Sequence, residues 1–290
     1  MKRCLACHTA FDAESWTCPA CGFTPTRLNG FLAHAPALAE GGGGFKPHYF
    51  AKLAELEAKN FWFRSRNELI LWALGRYAPD SQNLLEIGCG TGYVLSGIAA
   101  AYPQLALCGS EIFMSGIPFA AERLPAAELM QMDARQLPFV DAFDVVGAFD
   151  VLEHIEEDEA VLAQVWQALK PGGCVMLSVP QHPRLWSVTD DYACHVRRYR
   201  RGELEAKAEQ AGFTVERSTS FVTVLLPLMA ASRARLRHTD GDFNPATELE
   251  VNPVIDSALY ALLALERRLI GLGVSLPVGG SRLVVARKPG

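Results

Sequence analysis

The sequence predicts an α/β protein in which a doubly wound, mostly parallel sheet follows a small cysteine-rich N-terminal module. Three observations lead to this prediction. Short β-favouring runs alternate with helical patterns from residue 84 onward, a glycine-rich turn follows the first run, and four cysteines stand in two C-x-x-C pairs near the N-terminus. Such alternation is typical of a parallel sheet covered by helices on both faces.

Composition indicates a globular protein with a substantial core. Half of the 290 residues are hydrophobic, and no apolar run approaches the ~20 residues of a membrane span. The formal net charge of −5 argues against a surface built mainly to bind nucleic acid. The first residues lack the apolar stretch of a secretory signal, so we expect a cytoplasmic protein.

Four of the eight cysteines form a pattern that predicts a zinc ribbon in residues 1–28. The four are Cys4, Cys7, Cys18 and Cys21. Two C-x-x-C pairs separated by ten residues suit a tetrahedral structural Zn²⁺ held by four thiolates, and so short a segment cannot fold on its own core without the metal. A redox-active cysteine pair, or His8 in place of one thiolate, is the alternative.

The residues after the ribbon predict the organisation of the rest of the chain. Consecutive glycines end residues 29–44 and predict a flexible linker, so the ribbon is expected to be a separate module and residues 45–290 one α/β domain. Helical spacing from Tyr49 to Tyr77 predicts one or two helices. The other predicted elements are strands at 84–87, 105–111, 127–133, 143–150, 174–180 and 281–287, helices at 92–101 and 158–169, and a turn at 169–173.

The glycine-rich turn LLEIGCGTG, Leu84 to Gly92, predicts a bound ligand. Glycines directly after a buried strand let the chain turn sharply or let a ligand approach the backbone. Ligands of doubly wound sheets bind at the carboxyl ends of the strands. The dinucleotide fingerprint G-x-G-x-x-G does not fit, because Tyr93 stands where its third glycine would fall.

With these motifs the sequence resembles the class I S-adenosylmethionine-dependent methyltransferases of the small-molecule type. LLEIGCGTG is similar to their acidic-x-G-x-G-x-G motif, and FWFRSRNELI, DVLEHI, LKPGG and HVRRY follow the family's order. The resemblance covers about residues 61–212. It implies a Rossmann-like sheet of seven strands with an antiparallel edge strand, and S-adenosyl-L-methionine as cofactor.

The resemblance also implies which residues contact the cofactor. Glu86 would bind its ammonium group, Glu111 the ribose hydroxyls and Asp133 the adenine amino group, while Asp150 would border the sulfonium. The other implied contacts are Gly88, Cys89, Gly90, Gly92, Ile112 and Ala134. A tight strand-to-helix turn, a solvated glutamate at a strand end and a turn aspartate are the corresponding structural alternatives.

His154 in DVLEHI is the candidate catalytic residue. A neutral imidazole near the transferred methyl group could take a proton from a hydroxyl or amine acceptor. The alternative is a packing residue at the start of a helix. A metal site formed by Glu153 and His154 alone has too few ligands, because adjacent residues on a helix do not converge without further partners.

Residues 181–202 predict an insert that covers the acceptor pocket, since histidines and aromatic residues alternate there with arginines. Planar arginines beside aromatic rings suit a phosphate, a carboxylate or a ring, and Arg197–Arg201 is expected to orient an anionic group. The predicted acceptor contacts are Tyr192, His195, Arg198 and Tyr199. A solvated surface loop is the alternative.

The C-terminal part leaves two interpretations open. Residues 221–231 are apolar, 232–238 are basic, and Ile255–Leu272 has an amphipathic helical pattern. These segments fit peripheral contact with an anionic membrane and a lipid-linked acceptor, or they complete the core.

The sequence therefore predicts a methyltransferase that modifies an oxygen or nitrogen of a small-molecule acceptor. One alternative is an RNA methyltransferase that grips RNA with its ribbon. The net charge argues against it, as does the small number of cations in or beside the ribbon, namely Lys2, Arg3 and Arg27. The other alternative is a non-catalytic cofactor-binding protein whose ribbon mediates protein–protein contact.

Overall fold

The computed structural model describes residues 1–41, 46–236 and 250–290. The described strands are β1 (Lys2–Arg3), β2 (Ala10–Phe11), β3 (Thr26–Leu28), β4 (Phe31–Ala33), β5 (Asn83–Ile87), β6 (Ala106–Glu111), β7 (Glu128–Gln131), β8 (Phe143–Phe149), β9 (Leu169–Pro180), β10 (Thr214–Phe221) and β11 (Ser281–Arg287). The described helices are α1 (Phe50–Leu56), α2 (Phe61–Tyr77), α3 (Tyr93–Ala101), α4 (Ile117–Arg123), α5 (Asp158–Ala168), α6 (Val188–Tyr192), α7 (Glu203–Gln210), α8 (Leu226–Leu236) and α9 (Pro253–Gly271).

In the described residues, the central sheet has nine strands in the order β10-β11-β9-β8-β5-β6-β7-β4-β3. Its centre, from β7 to β9, is parallel, and β11 runs antiparallel to both of its neighbours. The predicted Rossmann-like architecture is confirmed, with β5 to β11 as its seven strands. Strand order reverses at β5, which lies between β6 and β8, so a ligand crevice is expected at its carboxyl end.

The antiparallel edge that the resemblance implied is formed by the pair β10 and β11, in which β11 lies one position inside the edge. Leu283 to Ala286 in β11 are all buried, and a continuous apolar run is typical of a strand covered on both faces. The edge position is taken by β10, where polar residues such as Glu216 alternate with less exposed ones.

Both faces of the sheet carry an apolar core. Leu162 of α5 and Leu204 of α7 are buried against one face. Leu69 of α2, Leu95 of α3 and Ile270 of α9 are buried against the other. No described helix is long and apolar enough to cross a bilayer.

The linker predicted for residues 29–44 is wrong for its described part, residues 29–41. Strands β3 and β4 form a hairpin, and β4 pairs in parallel with β7 through Leu32 and Ala33. The turn is Asn29-Gly30, and both residues have positive φ, as a tight two-residue hairpin requires. The apolar residues after this turn are buried against the sheet edge, and Gly42–Gly44 of the predicted linker lie outside the described residues.

The ribbon is docked on the α/β domain and is not the separate module that the sequence predicted. The Arg3 amide donates to the Pro138 carbonyl at 2.8 Å, and the Val140 amide donates to the Met1 carbonyl at 3.0 Å. The Trp16 ring meets the Phe139 ring edge-on, with 5.7 Å between centroids.

The segment LKPGG belongs to β9 and not to a turn before it. Leu169 pairs with Phe143, and the register shifts before Cys174 pairs with Val145. Gly172 in this irregular part has a φ of 76°. The turn-forming residues therefore produce an irregularity within the strand, because backbone pairing continues on either side of them.

Candidate active site

The glycine-rich loop joins β5 to α3 at the carboxyl end of the parallel strands. Gly88, Gly90 and Gly92 have φ values of 66°, 53° and 75°, a region that side-chain-bearing residues rarely adopt. Gly88 and Gly90 line a cavity of about 1100 Å³. Gly92 does not line it, and a Cβ at this position would lie 2.9 Å from Ala120 Cα. The structure thus gives Gly92 a role in packing α3 against α4, in place of the implied cofactor contact.

Glu86, near the end of β5, offers the cavity a buried oxygen. Its Oε2 atom has no hydrogen-bond partner among the described residues, and burial raises the pKa of the carboxyl to about 8. An unsatisfied buried oxygen is costly. The position therefore fits the cationic ammonium group of the implied cofactor, which would satisfy this oxygen.

Glu111 ends β6 and is fixed toward the glycine-rich loop. Its carboxylate accepts hydrogen bonds from the Gly90 amide at 3.0 Å and from the Phe113 amide at 3.1 Å. Burial raises the pKa of Glu111, and these two amides oppose the shift. Each carboxylate oxygen has a further lone pair, so the group can also accept ribose hydroxyls at the cavity wall.

Asp133 lines the cavity with Ile112 and Ala134, but its carboxylate already has a partner. Arg135 donates to it from Nε at 3.0 Å and from the backbone amide at 2.9 Å. Arg135 also lines the cavity and was missed by the sequence reasoning. An adenine amino group would share Asp133 with this guanidinium.

Asp150 ends up beside an arginine that the sequence reasoning did not assign. Its Oδ2 accepts hydrogen bonds from Arg66 of α2 and, at 3.0 Å, from the Ser178 hydroxyl. The Arg66 guanidinium lies 4.5 Å from the Trp62 ring centroid. Asp150 has a φ of 58°, an uncommon conformation for a residue with a side chain. The motif FWFRSRNELI supplied the only sequence signal for this pair.

A network of hydrogen bonds stabilises the glycine-rich loop on the side that faces α1 and α4. The Thr91 hydroxyl donates to Glu57 at 2.6 Å, and Arg123 donates to the same carboxylate and, at 3.1 Å, to the Thr91 carbonyl. Glu57 and Thr91 line the cavity with the implied contact Cys89. The network holds the loop between α1 and α4, so the glycines are positioned by contacts distant in sequence.

His154 lies in a 3₁₀ turn, Leu152–His154, directly after β8. Its ring centroid is 4.8 Å from that of His195, and both residues line the cavity. Burial lowers the pKa of His154 to about 3. A general base works best with a pKa near the working pH, so this environment makes His154 a weak base. Its role as a general base stays a prediction.

The predicted insert contributes Tyr192, His195 and Arg198 to the cavity wall. His195 Nδ1 lies 2.8 Å from Asp190 Oδ1, and Arg198 Nε donates to the same oxygen at 2.7 Å. Asp190 is buried and was missed by the sequence reasoning. This carboxylate fixes two of the four side chains that the sequence assigned to the acceptor.

Tyr199 lies in the core and not at the cavity, contrary to the prediction. Its side chain is 1% exposed, and its hydroxyl donates to Asp158 at 2.6 Å. The Tyr199 amide donates to the Pro180 carbonyl, which draws the residue beside β9. Arg197 is also engaged, in ion pairs with Glu156 and Asp158.

The four ribbon cysteines converge. Their sulfur atoms lie within 4.8 Å of one another, with 3.6 Å between Cys4 and Cys21 and 3.6 Å between Cys7 and Cys18. A Zn–S distance of about 2.3 Å in a tetrahedron places sulfurs about 3.8 Å apart. The side chains therefore fit the predicted Zn²⁺. His8 Nδ1 faces Arg3 at 3.4 Å.

A family model described as a methyltransferase domain matches residues 55–218, more than half of the chain. The chain belongs to this methyltransferase family. The comparisons and the sheet order agree with the class I S-adenosylmethionine-dependent type that the sequence resembles.

The chain matches its curated relatives over part of their length. A probable S-adenosylmethionine-dependent methyltransferase of Mycolicibacterium smegmatis is 29% identical over 164 residues, which are 56% of this chain and 62% of the relative. Trans-aconitate 2-methyltransferase of Deinococcus radiodurans is 29% identical over 145 residues, 50% of this chain and 52% of the relative. The chain thus spans between half and two thirds of the length of these two relatives.

A solved structure shares the fold. Phosphoethanolamine N-methyltransferase 2 of Haemonchus contortus, in complex with S-adenosyl-L-methionine, superposes with a TM-score of 0.52 at 20% identity. The match covers 77% of the present chain and 53% of the chain of that structure. At this identity the likeness shows the fold alone.

Proposed function

We propose that this chain transfers a methyl group from S-adenosylmethionine to an oxygen or nitrogen of a small-molecule acceptor. One observation carries the proposal. A single cavity of about 1100 Å³ is lined at one side by the glycine-rich loop with Glu111 and at the other by the insert with Tyr192 and His195. A relative is named trans-aconitate 2-methyltransferase, which supports a small acceptor.

The bound cofactor would supply an electrophilic methyl group on its sulfonium. Glu86 would hold its ammonium group and Glu111 its ribose, while Gly88 and Gly90 would bring bare backbone against it. Asp150, fixed by Arg66, would border the position from which the methyl group leaves. Positioning two reactants in this way can remove much of the barrier to transfer.

The arginines of the insert give weak support to an anionic acceptor, because the two described next already pair with carboxylates. Arg198 lines the cavity but is paired with Asp190, and Arg197 is paired with Asp158. An anionic group would therefore share Arg198 with a buried carboxylate.

A lipid-linked acceptor is favoured by one surface. Helix α9 buries Leu263 and Ile270 but leaves Leu262, Leu265 and Leu269 between 42% and 55% exposed. Apolar side chains on one face of a surface helix can enter a membrane interface. Cosedimentation with anionic vesicles tests this, and we expect Leu265→Glu to reduce the bound fraction while Glu128→Gln on the distant β7 leaves it unchanged.

The ribbon contacts give no support to an RNA grip. The Lys2 ammonium donates to the carbonyls of Ala13 and Glu14 at 2.5 and 2.7 Å. Arg3 donates to Gln167 at 3.1 Å, and Arg27 donates to a carbonyl within its own hairpin. The cations singled out in the sequence thus serve contacts within the chain. Retention of the chain on immobilised RNA that weakens with added salt would instead support the RNA methyltransferase alternative.

We also propose that the four ribbon cysteines hold one structural Zn²⁺ per chain. The sulfur spacing described above supports this assignment. The metal would stabilise the N-terminal fold and take no part in methyl transfer.

The decisive experiment is incubation of the purified chain with methyl-labelled S-adenosylmethionine and a cell extract, followed by mass spectrometry of small molecules. We expect a labelled product that depends on the chain and is lost with Glu111→Ala. Cofactor binding without any labelled product would favour the non-catalytic alternative.

A further inference from the structure

A second group of ligating side chains converges at the acceptor side of the cavity. Nitrogen and oxygen atoms of Glu153, His154 and His195 all lie within 4.8 Å of one another. The first two residues follow β8, and the third comes from the insert 41 residues later in the chain. A backbone hydrogen bond of 2.7 Å from the Val196 amide to the Glu153 carbonyl holds the insert against the 3₁₀ turn.

We propose that Glu153, His154 and His195 bind a divalent first-row transition metal ion. Two imidazoles and one carboxylate suit such metals. Three protein ligands that line a cavity leave a further coordination position for water or substrate, as in catalytic metal sites. A metal about 2.1 Å from each ligand would place the ligand atoms about 3.4 Å apart, so atoms that now lie within 4.8 Å of one another would approach by at most about 1.4 Å.

The strongest single observation in favour of a bound metal ion concerns the Glu153 side chain. The residue is 1% exposed, and its Oε2 atom finds no hydrogen-bond partner within the described part of the chain. A buried, unsatisfied carboxylate oxygen is costly. A cation bound between this oxygen and the two rings would satisfy it.

The rings are oriented by neighbours that leave them able to ligate. Asp190 Oδ1 lies 2.8 Å from His195 Nδ1, so the Nε2 atom of that ring is the one left for a metal. Backbone groups of Ala193 and Cys194 lie near the His154 ring and oppose the lowering of its pKa. Metal-bound histidines commonly use their other nitrogen to contact a carboxylate or the backbone.

The nearby cations do not occupy the Glu153 carboxylate. Arg66 is paired with Asp150, and Arg198 is paired with Asp190. The two guanidinium groups thus have carboxylate partners of their own, and neither is paired with Glu153.

One consequence rests on the proposed function. Because the open position faces the cavity, the metal would select acceptors that present an oxygen or nitrogen to it. Metal binding itself is measured without cofactor or acceptor, so failure of the metal site and failure of methyl transfer are distinguishable.

The test is a Co²⁺ titration of the full chain by calorimetry and visible absorption, after the ribbon has been filled with Zn²⁺. We expect one equivalent of bound Co²⁺ with no thiolate-to-metal absorption band. Affinity should fall at least tenfold in Glu153→Gln and in His195→Ala. Matched controls are Glu156→Gln on the same segment and His182→Ala in the same insert, both of which should bind as the natural chain does.

Absence of this equivalent, or equal affinity in the ligand and control variants, would overturn the proposal. A second measurement uses the natural chain, so it tests the proposal even if the variants do not fold. Proton nuclear magnetic resonance of the Co²⁺ form should show two exchangeable, strongly shifted signals from ring N–H groups. Fewer than two such signals would also overturn it.

Discussion

At the residue scale, two buried carboxylates at the ends of neighbouring strands define the cofactor side of the cavity. Glu111 is held by two backbone amides, whereas Glu86 keeps one oxygen unsatisfied among the described residues. One side chain therefore offers fixed geometry, and the other offers an oxygen atom that a bound cofactor can satisfy. These differences lead to different expectations for substitution.

Glu111→Ala should weaken binding of S-adenosylmethionine by about 1.5–3 kcal/mol, the usual scale for hydrogen bonds to a charged group. Isothermal titration calorimetry measures the change. Glu122→Ala, at an exposed position of α4, is the control and should bind normally. Equal affinity in Glu111→Ala and the natural chain would remove Glu111 from the cofactor site.

Glu86 should make cofactor affinity depend on pH. Its pKa of about 8 keeps the carboxyl protonated in the cofactor-free protein near pH 6, but an ammonium group prefers the carboxylate. Affinity should therefore rise between pH 6 and 7.5, by up to about tenfold per unit, and level off above pH 8. Glu86→Gln should flatten this profile, and a pH-dependent rise that survives the substitution would contradict the assignment.

The same pKa shift sets the sign of a stability change. The folded-state pKa of Glu86 lies above the ordinary value of 4.5, so the unfolded chain loses this proton first as the pH rises. Glu86 thus lowers the free energy of unfolding of the cofactor-free protein progressively between pH 4.5 and about 8. Denaturant unfolding of the natural chain and Glu86→Gln at several pH values measures the difference.

Residues next to a recognisable motif could be placed from the sequence, and their partners could not. Glu86 and Glu111 stand beside strand ends and glycines, so local pattern places them at the cavity. The partner of Asp150 is Arg66, 84 residues away. Asp190 of α6 contacts His195 and Arg198 across the turn after that helix, an arrangement that no periodicity encodes. These side-chain pairs depend on tertiary placement.

At the element scale, the positions of β10 and β11 follow from composition. The buried run of β11 occupies an inner position, and the more polar β10 occupies the edge. Most of the parallel strands were predictable to within a few residues because apolar runs and turn residues alternate, but β9 begins at Leu169 instead of residue 174, and β10 was not among the predicted strands. The hairpin of β3 and β4 was missed although Asn29-Gly30 is a strong hairpin signal, because the glycine run that follows dominated the interpretation.

Gly92→Ala should destabilise the fold by about 1–3 kcal/mol through its left-handed backbone, with a further cost from contact with Ala120. Gly172→Ala is a matched control, because Gly172 has a φ of 76° and nothing within 4 Å of an added Cβ. Denaturant unfolding should show a larger loss for Gly92→Ala. Equal losses in the free energy of unfolding would show that α4 moves to accommodate the added Cβ without a further energetic cost.

At the scale of the whole molecule, the hairpin that follows the ribbon joins the central sheet, whereas the ribbon strands β1 and β2 form a two-stranded sheet of their own. Strand β4 extends the sheet beside β7, and Met1 and Arg3 bond to the segment before β8. The cysteines were predictable from spacing, but the docking was not, because it depends on pairs more than a hundred residues apart.

Loss of the ribbon metal should therefore loosen the sheet edge as well as the ribbon. Cys18→Ser should remove one zinc per chain in metal analysis and should speed amide hydrogen exchange in β4. Cys194→Ser, outside the cysteine cluster, should change neither. Faster exchange confined to residues 1–25 would show that ribbon and sheet are energetically independent.

The docking of Met1 also has a consequence for synthesis of the chain. Its ammonium group donates to the Val140 carbonyl, 139 residues away. A ribosome adds about 5–20 residues per second, so Val140 is made roughly 7–28 s after Met1. During that interval β4 has no β7 to pair with, and an uncovered strand invites wrong partners. Early capture of Zn²⁺ would fold the ribbon before its docking site exists, so zinc supply during translation would influence how much of the chain reaches the native fold.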